Sequence, residues 1–172
     1  MYMKGKNSMF SEADSLFSSA VSMLERKELA QAAAILTDIT ERFENYGRAW
    51  CEMGNILQYH LEDHKTAADY YRKAIQYNPT YAAGYLGYAD VLIAQEQFAE
   101  ANAIINQALE ITGVRKDIAM YKSGLIMESQ GRYDEAIETY RSALLISFSE
   151  EEILKCEKGI SRCHTKMKYS NE

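Results

Sequence analysis

The sequence predicts an all-α fold, a solenoid of stacked helical hairpins, and three recurrences along its 172 residues predict it. Alanines at Ala67, Ala101 and Ala136 stand 34 and then 35 residues apart, and each is followed seven residues on by Ala74, Ala108 and Ala143. A bulky residue falls four after each first alanine, at Tyr71, Ile105 and Tyr140. Upstream, the rows Trp50–Tyr85–Met120, Gly54–Ala89–Gly124 and Leu57–Leu92–Met127 repeat with steps of 35. A fixed period of this size marks units too small to bury their own apolar face, which must stack on a neighbour.

Residues 13–46 read as a degenerate first unit. Leu16, Ala20 and Met23 carry the first-helix spacing, Ala32, Leu36 and Ile39 the second, and Ala32 stands 35 before Ala67. Terminal repeats are commonly atypical because one face has no neighbour. In residues 47–80, Trp50, Gly54 and Leu57 fall at i, i+4 and i+7, one face of a helix, and Ala67, Tyr71 and Ala74 do the same on a second helix. Thirteen steps separate Gly54 from Ala67, against twelve from Ala89 to Ala101, which predicts a longer turn around His60–His64 with Asp63 as N-cap. Residues 82–113 and 117–148 repeat the hairpin, with polar turns at Glu96-Gln97 and Gln130-Gly131. Short connections of this kind join antiparallel helices.

Residues 149–168 form a last helix. Ser149 followed by Glu150, Glu151 and Glu152 is a start signal, since a capping hydroxyl and first-turn acids suit the orphan amides and the helix dipole. Ile153, Cys156, Ile160, Cys163 and Met167 make a narrow apolar stripe among charged residues, a composition that suits a cap on the open end of the stack. The tails at 1–8 and 169–172 are polar and expected to fray. With one proline, nine scattered glycines and no linker-like run, residues 1–172 read as a single domain. The small rows are expected where helices cross closely, with the bulky row filling the space beside the crossing.

A net charge of −6 argues against nucleic acid, whose phosphates need a basic stripe. No apolar run reaches the length of a membrane span, and Met1–Phe10 lacks the apolar core of a secretion signal, so the expected location is cytoplasmic, with no membrane partner. The three cysteines read as small apolar packing residues. His60 and His64 have metal-ligand spacing, but they flank the lengthened turn and read as surface residues. His164 adjoins Cys163, yet neighbouring helical side chains diverge by about 100°, which disfavours a catalytic dyad. No phosphate-cradling glycine loop occurs. The chain is expected to need no metal or cofactor and to catalyse nothing.

The pattern W-x2-M-G-x2-L, then A-x3-Y-x2-A, then Pro79, resembles the tetratricopeptide repeat. Gly113 and Phe148 replace the proline at the other two boundaries. The resemblance implies a right-handed superhelix with a C-terminal capping helix, and a protein or peptide partner held in a concave groove lined by the first helix of each unit. The implied groove residues begin with Asp14, Phe17, Val21 and Leu24, then Arg48, Glu52, Asn55 and Tyr59. They continue with Leu86, Asp90 and Ile93, and end with Tyr121, Lys122, Leu125 and Glu128. Phe17, Tyr59, Leu86, Ile93, Tyr121 and Leu125 are the expected anchors, since aromatic and aliphatic anchors dominate interface energy. The acids outnumber the bases, which favours a partner with basic and apolar residues.

One subfamily grips acidic chaperone tails with a carboxylate clamp of lysine, two asparagines, lysine and arginine. Here Asn55 matches one asparagine, but Cys51, Gly87 and Ile118 stand where lysine, asparagine and lysine belong, and Lys122 replaces the arginine. The clamp is broken. Two alternatives to an adaptor are a self-associating structural protein and a chaperone. The first would dimerise through the apolar face of the degenerate unit or of the last helix. The second rests on similarity in size, acidity and repeat number to bacterial chaperones of secreted translocator proteins.

Overall fold

In the computed structural model, residues 3–170 are described, with side chains over 11–169. The outermost residues of both expected tails lie outside that range. Among the described residues there are nine helices and no strand: α1 (Met3–Glu25), α2 (Leu29–Arg42), α3 (Gly47–Tyr59), α4 (His64–Tyr77), α5 (Ala82–Ala94), α6 (Phe98–Leu109), α7 (Lys116–Ser129), α8 (Tyr133–Ile146) and α9 (Glu150–Ser170). Helix α1 thus begins ten residues before the predicted unit, inside the stretch expected to fray. The helices fall into two compact units, Met1–Val91 and Leu92–Glu172. In the first, α1 packs on α2, α2 on α3 and α3 on α4; in the second, α6 packs on α7, α7 on α8, and α9 on both α8 and α7. Within each unit these helices pack on their neighbours in sequence, as a hairpin repeat demands.

The turns inside the hairpins share a device that sequence spacing did not reveal. Lys27, Glu62, Glu96 and Gly131 all have positive φ, at 63°, 54°, 57° and 76°. They stand 35, 34 and 35 apart, so the degenerate unit keeps the turn even where its side chains drift. Only Gly131 adopts this region freely; the other three accept a cost of roughly 1 kcal/mol each. The lengthened turn is present: four residues separate α3 from α4, against three between α5 and α6 and between α7 and α8. Asp63 caps α4 as expected, its Oδ1 accepting from the Thr66 amide at 3.0 Å.

Two members of the first-helix aromatic row also tie their helix to the preceding turn. Trp50 Nε1 donates to the Glu44 carbonyl at 2.8 Å, and Tyr85 Oη donates to the Pro79 carbonyl at 3.1 Å, six residues back in each case. Trp50 is further packed against Tyr70 and Tyr77, with ring centroids 5.5 and 5.8 Å away, and carries the Lys73 ammonium 4.3 Å above its ring.

The core of each unit is organised around one fully buried tyrosine held between two glycines. Tyr71 of α4 has no exposed surface. A Cβ built on Gly54 of α3 would lie 2.7 Å from its ring, and one on Gly87 of α5 would lie 2.4 Å away. In the second unit Tyr140 of α8 is enclosed in the same way, at 2.5 Å from Gly124 of α7 and 2.7 Å from Gly159 of α9. At Gly54 and Gly124 the small residue therefore faces the bulky row itself. The glycines make room for a flat ring between helices rather than for backbone meeting backbone, and the two faces of the ring lose their freedom together.

Candidate interaction face

The groove residues predicted from the sequence separate into two sets, because each compact unit treats its first-helix face differently. In the first unit this face is polar and partly open. The Arg48 guanidinium of α3 lies 4.5 Å above the Phe17 ring of α1, and Phe17 meets Tyr46 at 5.6 Å between centroids. Tyr46 Oη donates to Asp14 Oδ1 at 2.5 Å; desolvation, then this carboxylate, pushes the phenol up to about 12. Phe17 is buried beneath these groups, and Leu86 is buried as well. Neither is presented as an anchor. Val21 and Leu24 are half-buried against the α1–α2–α3 core.

Further along α3, Asn55 Nδ2 donates to Glu52 Oε2 at 3.0 Å. Tyr71 Oη lies 2.8 Å from Asn55 Oδ1 and 2.9 Å from Gln58 Oε1, so its single proton is shared between two amide oxygens. The core tyrosine thus reaches the face with its polar tip and orients Asn55 from below. Tyr59, at the end of α3, donates to Asp90 Oδ2 of α5 at 2.7 Å while the residue stays 58% exposed. Desolvation of the hydroxyl and the Asp90 charge both raise its pKa. Arg48 is exposed, while Glu52, Asn55 and Asp90 are half-buried. These five side chains form the accessible part of the face.

In the second unit the corresponding face is covered. Ile93 and Leu125 are half-buried, Lys122 is buried, and Tyr121 packs on Tyr140 at 5.5 Å. Glu128 is only 5% exposed and is surrounded by donors. Tyr140 Oη donates at 2.8 Å, Arg162 donates through Nε at 3.0 Å and Nη2 at 2.8 Å, and Lys166 Nζ donates at 2.9 Å. Both cations come from α9. Sequence reasoning assigned α9 only to the open end of the stack; its polar side also neutralises the acid that the last unit was expected to offer a partner. The spacing signal was there: Gly159 lies 35 after Gly124, which places α9 in the register of a further first helix.

Desolvation raises the Glu128 carboxyl, but the bonds from Arg162, Lys166 and Tyr140 together outweigh it and hold the group at about 2. A depressed carboxyl contributes stability that is complete above its ordinary value near 4.5 and is lost as pH falls towards 2. Glu128→Gln is therefore expected to lower stability by about 1–2 kcal/mol at neutral pH, a modest figure because both cations are nearly half exposed. Its melting temperature should converge on that of the wild type near pH 2. Parallel melting curves from pH 7 downward that never converge would show that the carboxylate is not the stabilising group.

His60 and His64 lie exposed at either end of the turn between α3 and α4, and all three cysteines are buried thiols. Among the described residues no cluster of three or more histidine, cysteine or acidic side chains has metal-binding geometry, and no helix is long and apolar enough to cross a membrane.

Sequentially paired helices, tyrosines wedged between them and a polar first-helix face define a helical-hairpin repeat protein, a class that generally serves as non-catalytic protein-interaction scaffolds. The sequence model of the tetratricopeptide repeat matches residues 59–123, and a second model of the same repeat matches 118–145. The chain belongs to the tetratricopeptide repeat family. It is 27% identical over 129 residues to Protein bimA of Emericella nidulans and 29% identical over 137 residues to human Superkiller complex protein 3. Those matches take in 75% and 76% of this chain but 15% and 8% of the relatives, so the chain spans a small part of their length. Among solved structures, PilF of Pseudomonas aeruginosa superposes with a TM-score of 0.76 at 19% identity, over 90% of this chain and 70% of that one. That likeness shows the shared fold.

Proposed function

We propose that the chain is an adaptor that holds a segment of a partner protein against the first-helix face of its N-terminal unit. The observation that carries this reading is the contrast between the two units. Arg48, Glu52, Asn55, Tyr59 and Asp90 keep accessible polar edges, whereas α9 occupies the equivalent face around Glu128. The exposed Tyr59 ring is a rigid amphipathic surface, and aromatic residues of this kind carry much of the energy at interfaces. Glu52 and Asp90 against the single cation Arg48 favour a segment with lysine or arginine beside apolar residues, by charge complementarity. The fold alone supports protein binding, and the excess of acid supports the preference.

Selection from a random peptide display library tests the proposal. The wild type is expected to enrich sequences bearing lysine or arginine, and Tyr59→Ala to weaken binding of the selected peptides about tenfold or more. Glu52→Lys should shift selection towards acidic peptides. Enrichment that is indifferent to all these changes would place recognition elsewhere.

A further inference from the structure

The corner where α8 turns into α9 exposes more large apolar surface than its surroundings explain. Leu145 is 81% exposed, Ile146 43%, and Phe148 stands fully in solvent. Beside Phe148 opens a cavity of about 530 Å³ lined by Val114, Arg115, Lys116, Asp117, Ile146, Phe148 and Ser149. Its wall is rigid. Asp117 is buried, accepts from Arg115 Nε at 2.9 Å and Nη2 at 2.6 Å, and accepts from Ser147 Oγ at 2.9 Å. That network ties the α6–α7 turn to the α8–α9 turn, which places the cavity beside the segment that carries Phe148.

A knob and a hole side by side on one surface are what a twofold contact requires, because the same patch must serve as both halves. The charges have the same character. Lys116 is exposed on one lip of the cavity, and on the other lip, just past Ser149, α9 opens with the exposed Glu150 and Glu151. Glu151 is engaged by Lys155 at 2.7 Å, which leaves Glu150 as the nearer acid for an outside cation. Three side chains of this size expose on the order of 400 Å² of apolar surface. Two copies with their charged rims approach roughly 1,000 Å², the lower limit for a specific interface.

We infer that a second copy of this chain covers the corner, each Phe148 entering the cavity of the other copy and each Lys116 meeting the other's Glu150. The contact is independent of the face around Tyr59. It also differs from both dimer surfaces expected from sequence. The apolar stripe of α9 is turned inward, with Cys156 and Cys163 buried against α7 and α8, and the degenerate unit buries Ala13, Phe17 and Ala20 in its own core.

Sedimentation equilibrium over a concentration series tests the inference, with helicity of every variant checked by circular dichroism. The wild type is expected to form a weak reversible dimer, as suits an interface at the lower limit of size. Phe148→Asp should raise the dimer's Kd at least about tenfold, since it places a charge at the centre of the contact. Lys116→Glu and Glu150→Lys should each weaken self-association. Mixed together they should recover a dimer, because both charge pairs become complementary in the mixed species. A wild type that remains monomeric, a Phe148→Asp variant that dimerises unchanged, or two charge variants that fail to associate when mixed would each overturn the inference and assign the corner to another occupant.

Discussion

Replacing Tyr71 by alanine is expected to cost about 3–5 kcal/mol and to lower the melting temperature by on the order of 10 °C. Three effects act in the same direction. The ring is entirely buried, so its transfer energy is lost. Gly54 and Gly87 face it on both sides and have no side chains with which to close the gap, so the cavity persists. Finally, Gln58 is only 6% exposed and would lose the donor at its Oε1. Tyr71→Phe separates these contributions: the ring stays, and the expected loss shrinks to about 1–2 kcal/mol for the unsatisfied amide oxygen. Urea unfolding followed at 222 nm measures both. A loss for Tyr71→Ala no larger than for Tyr71→Phe would mean that the ring is not enclosed as described.

Gly124→Leu probes the same arrangement from the other side, in the second unit. A single added carbon at this position would already lie 2.5 Å from Tyr140 Cε1, a separation that real side chains do not tolerate. The ring has no retreat, since its opposite face meets Gly159, where a Cβ would stand 2.7 Å away. Overpacking of this kind is expected to cost about 3 kcal/mol, more than the roughly 1 kcal/mol that relief from glycine returns through helix propensity. Leucine adds three further carbons to the clash. The decisive control is a double-mutant cycle. Against Tyr140→Leu, which removes the flat ring, Gly124→Ala should become neutral or stabilising, because only the propensity gain remains. Additive effects of the two changes would show that the glycine is small for another reason.

Much of the fold was legible because helical packing is periodic. Ala67, Ala101 and Ala136 have no exposed surface, as do Ala74's counterparts Ala108 and Ala143, and the rows that predicted hairpins are the rows that became core. The turn between α3 and α4 and its Asp63 cap followed from one extra residue and one side chain, both local features. What stayed hidden depended on partners distant in sequence. Gly87, which completes the enclosure of Tyr71, lies two residues from Ala89 and outside the row that the period defines, so spacing gave it no weight. The left-handed residue of three turns is lysine or glutamate, which carry no glycine signal.

The candidate face divided along the same line. Tyr59, Glu52 and Asp90 keep accessible edges, while Phe17 and Leu86 are buried by neighbours that their own helix does not specify. Glu128 looked like an available acid until α9 brought Arg162 and Lys166 to it across 34 and 38 residues.

By itself the sequence determined the all-α class, the order of the hairpins and the family, because side-chain size in a fixed period is a local property that each helix carries along its own length. Only the tertiary structure decided which acids remain open, which tyrosines the glycines enclose, and that Phe148 projects beside a cavity. Those outcomes depend on where one helix face meets another, and burial and charge pairing are properties of the meeting rather than of either strip of sequence.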